Sequence, residues 1–287
     1  MIPAAYIQEW SLKVAWPAAR QVEQDLIICR ALCDLFNSPA LSGKIAFRGG
    51  TAINKLLFEK PLRYSEDIDL VQIRQEPIGT MFNAIREALS WLGDFSWKQA
   101  SHSLHLFYKF SPEEAPDTTL KVKIEINTRE HQNLYEIKNY PFEIDSDWYR
   151  GRADIASFEP EELFGTKLRA LLQRRKNRDL FDLNEGLTHL SLDYSKLLTC
   201  FEHYLALQEL SISRATAEQR MLEKLQWSLT EDIAPLLPVG ITFTEDEALA
   251  AFGKVWFELI ARISGDPWKL SEKIIEEQRA KMPNLLR

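Results

Sequence analysis

A glycine pair at the end of an apolar run, followed by two carboxylates two residues apart, constrains this chain more than any other feature. The segment 47–51, Phe-Arg-Gly-Gly-Thr, is typical of a strand that turns into a helix, and Asp67 and Asp69 begin a second strand-like run. Alternate residues of a strand point to the same face, so both carboxylates can bind one cation. Glycines let backbone N–H groups approach an anion because no Cβ intervenes. The pattern therefore predicts an anion cradle beside a divalent-cation site.

Hydrophobic periodicity predicts a small mixed sheet with helices, followed by a mainly helical part. In the first part the predicted elements are helices 21–36, 51–58 and 77–92 and strands 44–47, 67–73, 104–110 and 120–127. In the second part the predicted helices begin at Pro160 and cover 194–209, 214–230, 245–263 and 268–281. We therefore expect an α+β fold with an α/β domain at residues 1–150 and a helical domain at 151–287.

Composition excludes several classes of protein. The 287 residues are 45% hydrophobic, which is typical of a globular protein, and their short apolar runs and N-terminal sequence predict neither a membrane span nor a secretory signal. Three cysteines and five histidines show no metal spacing, and the odd cysteine count fits a reducing compartment, so we expect a cytoplasmic protein. The net charge of −7 argues against broad nucleic-acid binding.

Metal-dependent phosphoryl chemistry usually needs a third carboxylate. Glu125 is the best candidate, because it lies in a run of alternating apolar residues that reads as a neighbouring strand. The alternative is an exposed strand position opposite Lys121 or Lys123. The expected ion is Mg²⁺ or Mn²⁺, and the expected substrate is an NTP. Asp67 and Asp69 are the other predicted ligands.

Several residues around the glycine pair are candidates for nucleotide binding. Thr51 can offer its hydroxyl and N–H to a phosphate at a helix N-terminus, or serve as a plain N-cap. Arg48 and Arg63 can neutralise phosphate charge or brace the acids, although Arg63 is also compatible with a simple surface charge. The predicted nucleotide-binding residues are Arg48, Gly49, Gly50, Thr51, Arg63, Ser65 and Lys167.

One basic island interrupts an otherwise acidic second half. Six basic residues and no acid lie between Lys167 and Arg178, whereas residues 183–287 carry 11 Lys and Arg against 16 Asp and Glu. An unbroken helix would put Lys167, Arg174 and Arg178 on one face. The simpler interpretation is an amphipathic helix with i,i+4 pairs of Arg175 with Asp179 and Arg178 with Asp182. Beside a phosphate cradle, the island is better explained by binding of a triphosphate and an RNA backbone. The predicted RNA-binding residues are Arg169, Arg174, Arg175 and Arg178.

Three blocks together resemble the AbiEii/AbiGii family of nucleotidyltransferase toxins from type IV toxin–antitoxin and phage-abortive systems. They are residues 47–52, 63–70 and 162–183, in the order found in the family. The resemblance implies a polymerase β-like fold with a helical C-terminal part, which completes the active site between Lys167 and Asp182. It also implies that Lys167 and Asp179 are catalytic beside Asp67 and Asp69.

The resemblance also carries expectations about substrates and partners. Related toxins transfer nucleotides onto the 3′ end of tRNA, so a tRNA acceptor and a cognate antitoxin encoded nearby are the implied partners, and no membrane is implied. Two alternatives stay open at this point: transfer to a protein hydroxyl, and a non-catalytic regulator that binds GTP or another NTP. The base, the acceptor and the oligomeric state are not specified by the sequence.

Overall fold

The computed structural model describes residues 2–113 and 115–286. The chain forms two compact units. The sheet unit comprises Met1–Glu159 with Leu236–Gly240, and the helical unit comprises Pro160–Pro235 with Ile241–Arg287. The boundary predicted at residue 150 was wrong by about one strand, since residues 150–157 form the last strand of the sheet and pair with it along their whole length.

In the part of the chain that the structure describes, the sheet unit is built on one mixed sheet of seven strands in the order β3-β4-β5-β2-β1-β7-β6. The strands are β1 (Ile45–Arg48), β2 (Asp67–Gln72), β3 (Phe95–Gln99), β4 (Ser103–Phe110), β5 (Leu120–Asn127), β6 (Lys138–Asp145) and β7 (Arg150–Ser157). The central pairs combine both directions, because β2 runs antiparallel to β1 but parallel to β5. The helices of this unit are α1 (Ala4–Val14), α2 (Ala19–Phe36), α3 (Gly49–Leu56) and α4 (Ile78–Ala88).

Alternation along β2 and β5 places an apolar row on one face of the sheet and a polar row on the other. Ile68, Leu70, Ile124 and Ile126 are at most 1% exposed. Each such side chain contributes about 1.5–3 kcal/mol when it is fully buried. The carboxylates at alternate positions therefore share the opposite face, and the core fixes the register that brings them there.

Among the described residues, the helical unit contains six α-helices. They are α5 (Pro160–Gln173), α6 (Arg178–His189), α7 (Tyr194–Ala206), α8 (Arg214–Lys224), α9 (Glu245–Glu258) and α10 (Ser271–Arg279). Asp193 caps α7 through its carboxylate, and Thr244 caps α9 in a reciprocal arrangement with Glu247. Such caps are worth about 1 kcal/mol each. No helix among the described residues is both long enough and apolar enough to cross a membrane.

The predicted mixed sheet and the helical second part are confirmed, but the prediction missed α1, β3, β6 and β7. The short strand β3 has one half-buried residue followed by four exposed ones, which leaves no apolar alternation to detect. In β6, Pro141 lies within the strand, and proline weakens a strand prediction.

Candidate active site

The pairing of β2 with β5 brings the three predicted carboxylates together. Asp69 lies directly opposite Glu125, and Asp67 lies opposite Lys123. Neighbouring strands are about 4.8 Å apart, so side chains on the same face at these positions are within contact range. The predicted grouping of Asp67, Asp69 and Glu125 on one face is therefore what the sheet produces.

Lys123 is a member of this cluster that the sequence analysis did not place in the site. Its Nζ lies 2.6 Å from Oε2 of Glu125 and 4.0 Å from Oδ2 of Asp67. Oε1 of Glu125 is also 3.6 Å from Nε2 of His105, the residue opposite Glu125 on β4. The signal was present in the sequence, because Lys123 is two residues from Glu125 and thus on the same face of β5.

The pKa values of two of the carboxylates, Asp69 and Glu125, shift in opposite directions. Burial, followed by the charges of Asp67 and Glu125, raises the pKa of Asp69 to about 6, although Lys123 and Arg48 act against the shift. Burial also acts to raise the pKa of Glu125, but its hydrogen bond and charge interaction with Lys123 outweigh burial and lower it. The negative charge at Asp69 is therefore only partly compensated by the protein, and an added cation would stabilise its ionised form.

The donor set suits a hard divalent cation, since Mg²⁺ and Mn²⁺ prefer carboxylate oxygens. Among the described residues, however, no group of three or more His, Cys, Asp or Glu side chains is already placed to hold a metal ion. Lys123 contacts two of the three carboxylates instead. The three carboxylates are the right ligand type for a metal ion and lie close together. Their side chains, however, are arranged around the ammonium group of Lys123.

The Asp69 carboxylate leaves no room for a side chain at Gly49. A Cβ at Gly49 would lie 2.1 Å from Oδ2 of Asp69, and the φ angle of Gly49 is +82°, which favours glycine. Gly49 is also the first residue of α3, so the glycine pair belongs to the helix rather than preceding it. The clearest function of Gly49 in the structure is thus to leave room for a carboxylate, and phosphate binding by Gly49 and Gly50 stays a prediction.

Thr51 connects α3 to the start of β2. Its side-chain hydroxyl donates to the backbone carbonyl of Asp67 and lies 2.7 Å from Oγ of Ser65. The alternative that Thr51 is an N-cap was wrong, since the N-cap residue of α3 is Arg48. Thr51 and Ser65 therefore position the backbone of Asp67, and their predicted contact with a nucleotide is untested.

The two predicted phosphate-neutralising arginines differ in their surroundings. Arg63 is 2% exposed and donates to the carbonyl of Tyr64, so the interpretation as a surface charge was wrong. Its burial does not support phosphate binding either, because the guanidinium braces its own loop. Arg48 lies opposite Asp69 in the sheet and forms an ion pair with Glu130.

A second charged cluster lies in the helical unit, where Lys167, Asp179 and Asp182 are buried. Nζ of Lys167 lies 3.1 Å from Oδ1 of Asp179 and 2.9 Å from Oδ2 of Asp182. Arg174 adds two hydrogen bonds to Asp179, of 2.7 and 2.8 Å. Burial acts to raise the pKa of Asp179, but Lys167 and Arg174 outweigh it and hold that pKa far below its usual range. These charges compensate one another within the network.

The basic island is not one continuous helix. α5 ends at Gln173 and α6 begins at Arg178, so the expected shared face of Lys167, Arg174 and Arg178 was wrong. The break is stabilised by Asp232, whose carboxylate accepts from the backbone N–H of Asn177 at the start of α6. The predicted i,i+4 pair of Arg175 with Asp179 was also wrong, because Arg174 forms the ion pair with Asp179.

The four predicted RNA-binding arginines occupy different environments. Arg169 is 9% exposed and donates to the carbonyl of Tyr204, so it was wrong to expect it on an RNA-binding surface. Arg174 is held by Asp179, and Arg178 is half-buried at the start of α6. Arg175 is exposed and lies 4.2 Å from the ring centroid of Trp227. Of the four, Arg175 is the best placed to meet a ligand.

A family model described as nucleotidyl transferase AbiEii toxin of type IV toxin–antitoxin systems matches residues 30–258. The chain belongs to the AbiEii family of nucleotidyltransferase toxins. The resemblance inferred from the three motif blocks is confirmed, as is the activity class of a nucleotidyltransferase. No curated protein matches the sequence closely enough to serve as a further relative.

Solved structures support the fold of this AbiEii family member. The nucleotidyltransferase toxin MenT4 from Mycobacterium tuberculosis H37Rv aligns with a TM-score of 0.62 and 16% identity, covering 100% of this chain and 98% of MenT4. JHP933 from Helicobacter pylori aligns with a TM-score of 0.55 and 16% identity, covering 93% and 97% of the two chains. At such identities the likeness concerns the fold alone.

Proposed function

We propose that this AbiEii protein transfers NMP from an NTP to an RNA acceptor, the 3′ end of tRNA, in a Mg²⁺-dependent reaction. The observation that carries the proposal is the β2–β5 register, which groups Asp67 and Asp69 with Glu125 and leaves Asp69 with a pKa of about 6. Because the negative charge of this cluster is only partly compensated, a cation would bind there favourably, and metal-dependent phosphoryl transfer uses such a cation together with a triphosphate substrate. We further propose that the protein acts in the cytoplasm as the toxin of a type IV system with a cognate antitoxin.

The proposed reaction is an in-line displacement. The 3′ hydroxyl oxygen of the acceptor forms a bond to the α-phosphorus, the bond to the β-phosphate oxygen breaks, and pyrophosphate leaves while the hydroxyl proton passes to water. Asp67, Asp69 and Glu125 would hold the metal, which when bound lowers the pKa of the attacking hydroxyl and offsets the charge of the triphosphate.

The contribution of the chain itself is mainly to hold groups in position. Thr51 fixes the backbone at Asp67, and Gly49 leaves room for the Asp69 carboxylate. The first N–H groups of α3 are proposed to donate to phosphate oxygens, as helix N-termini do. Arg48, opposite Asp69, adds positive charge on the same part of the sheet. Lys167 and Asp179 are proposed to contribute through the network that they form together.

The acceptor is proposed to be RNA because positive charge is concentrated locally. The chain carries a net charge of −7, yet Arg174, Arg175 and Lys176 are exposed side by side directly after α5. Such a patch favours a polyanion over a neutral protein hydroxyl.

The test is incubation of purified protein with Mg²⁺, total tRNA and each α-³²P-labelled NTP in turn. We expect label in the tRNA band, sensitive to ribonuclease and resistant to protease, and absent with Asp69→Ala. Label that protease removes would indicate a protein acceptor instead. Nucleotide binding without label in any acceptor would overturn the proposed transfer and favour a binding regulator. Far-UV circular dichroism of Asp69→Ala provides the control for folding.

A further inference from the structure

We propose that a cavity in the helical unit binds one nucleotide of a single-stranded RNA segment, with its base stacked on Trp227. The cavity has a volume of about 370 Å³ and lies between the end of α5 and α8. Its lining includes Arg174, Arg175, Leu210, Arg220, Lys224 and Trp227. The proposal rests on the proposed function, since it names the part of the enzyme that would hold its RNA acceptor.

Two cations of α8, Arg220 and Lys224, are neighbours on one face of the helix because they are four residues apart. Trp227 follows shortly after the C-terminal end of α8. Arg220 donates to the carbonyl of Leu172 at 3.1 Å, and Lys224 donates to the carbonyl of Arg174 at 2.8 Å. These bonds hold both side chains at the C-terminal end of α5. Each uses one donor, whereas a guanidinium has five and an ammonium three.

The charge balance of the cavity favours an anion. Four of its lining residues are cationic and one, Glu223, is acidic. Arg174 is already bound to Asp179. Among the described residues, the contacts of Arg175, Arg220 and Lys224 are with an aromatic ring or with backbone carbonyls, and no carboxylate lies within ion-pair distance of them. Burial lowers the pKa of Lys224, and the more distant Asp179 and Asp232 only partly offset it. A phosphate at this position would meet positive charge that the protein compensates only in part.

An aromatic platform distinguishes a nucleotide from other anions. Trp227 is 45% exposed, and the guanidinium of Arg175 lies 4.2 Å from its ring centroid. Leu210, which is 51% exposed, adds apolar surface to the same cavity. Proteins bind unpaired bases by stacking them on aromatic rings and guanidinium planes while cations meet the phosphates. An acidic peptide would use the charges but not the exposed ring, so the observations favour single-stranded RNA.

The cavity can be tested by binding, independently of catalysis. The probe is a fluorescein-labelled RNA hexanucleotide, titrated with full-length protein in the absence of NTP and metal. We expect Trp227→Ala to weaken binding roughly tenfold or more and Trp227→Phe to restore most of it, because stacking needs only an aromatic face. Arg220→Gln should weaken binding and reduce its dependence on salt concentration. The matched control is Trp97→Ala, since Trp97 is 57% exposed on β3 and packs against Phe82 without lining the cavity.

The outcomes separate this proposal from the function that it rests on. In the tRNA-labelling assay, Trp227→Ala should raise the KM for RNA and leave kcat nearly unchanged, whereas Asp69→Ala abolishes label without weakening hexanucleotide binding. Loss of hexanucleotide binding in Trp227→Ala, together with no label from the wild-type protein, would support the cavity and contradict the proposed transfer. Equal hexanucleotide affinity for wild type, Trp227→Ala and Arg220→Gln would overturn the cavity. Displacement of the hexanucleotide by a poly-glutamate peptide at equal charge concentration, unaffected by Trp227→Ala, would also overturn it.

Discussion

The acid cluster of the sheet unit and the ion-pair network of the helical unit differ in how their charges are balanced. The acid cluster consists of Asp67, Asp69 and Glu125, and the ion-pair network consists of Lys167, Arg174, Asp179 and Asp182. Asp69 sits beside two other carboxylates, and its pKa rises to about 6. Asp179, which is 0% exposed, is held by Lys167 and Arg174, and its pKa falls far below the usual range. Both residues are aspartates of the sequence motifs, but only the charge of Asp179 is balanced by opposite charges on neighbouring side chains.

This difference separates what each cluster can do. A buried charge that its partners fully compensate gains little from a further ion and loses much when one partner is removed. A cluster of like charges costs the folded state free energy until a cation or proton arrives, which makes it suited to binding a metal. The acid cluster is therefore the chemical centre of our account, while the network fixes the junction of α5 and α6.

Asp179→Asn should lower the free energy of unfolding by about 3 kcal/mol or more at pH 7, because it breaks a buried network and leaves Lys167 and Arg174 poorly compensated. Since the pKa of Asp179 is lowered by folding, its contribution is complete above the ordinary value near 4 and decreases as the pH falls below it. Urea unfolding at pH 7 and at pH 3 measures both effects.

The matched control for that experiment is Asp266→Asn, an exposed aspartate of the same unit. It should change the free energy of unfolding by less than about 0.5 kcal/mol. Equal effects of the two substitutions would contradict the stabilising role that we assign to the network.

Gly49→Ala should destabilise the sheet unit by about 1–3 kcal/mol, because alanine at φ +82° is strained and its Cβ overlaps the Asp69 carboxylate. The control is Gly79→Ala in α4, where a Cβ meets nothing within 4 Å and alanine improves helix propensity. Thermal unfolding should show a lower Tm for the first variant and an equal or higher Tm for the second. A neutral Gly49→Ala would show that Asp69 is free to move away.

Asp69→Asn should raise the free energy of unfolding of metal-free protein by about 1 kcal/mol at pH 7, after allowance for solvent screening. The folded pKa of about 6 lies above the unfolded value near 4, so the folded state binds protons more tightly and wild-type stability falls as the pH rises from about 4 to 6. The advantage of the variant should thus be absent near pH 4, grow up to about pH 6 and stay constant above it. Chemical denaturation in EDTA across this range measures the profile, and a pH-independent difference between the proteins would contradict it.

Much of the acid cluster could be predicted from sequence, because it depends on local pattern. Asp67 and Asp69 share a face through strand alternation, and the apolar residues beside Glu125 indicate a strand. Which strands are neighbours is a long-range property, so the parallel pairing that sets Asp69 opposite Glu125 had to come from the structure. The same-face position of Lys123 beside Glu125 could be read from strand alternation, but its contact with Asp67 depends on the pairing of β2 with β5.

The helical unit was harder to predict because its charges are satisfied by distant residues. Lys167, Arg169 and Arg174 look like one basic surface in the sequence. In the structure, Arg169 donates to Tyr204, 35 residues away, and Asp232 stabilises the break at Asn177 from 55 residues away. Buried partners of this kind leave no local pattern in the sequence. The prediction from the basic island therefore counted arginines that are held by other residues, such as Arg169 and Arg174, as surface available to RNA.

The most direct test of the central claim is a titration of metal-free protein with Mn²⁺, followed by the electron paramagnetic resonance signal of the free ion. We predict that wild-type protein binds Mn²⁺, that Asp69→Asn weakens binding at least tenfold, and that Lys123→Met binds as well as wild type or better because it removes the competing ammonium. Asp117→Asn, an exposed substitution in the same unit, should change nothing. Equal Mn²⁺ affinity in wild type and Asp69→Asn would contradict the assignment of the acid cluster as the metal site.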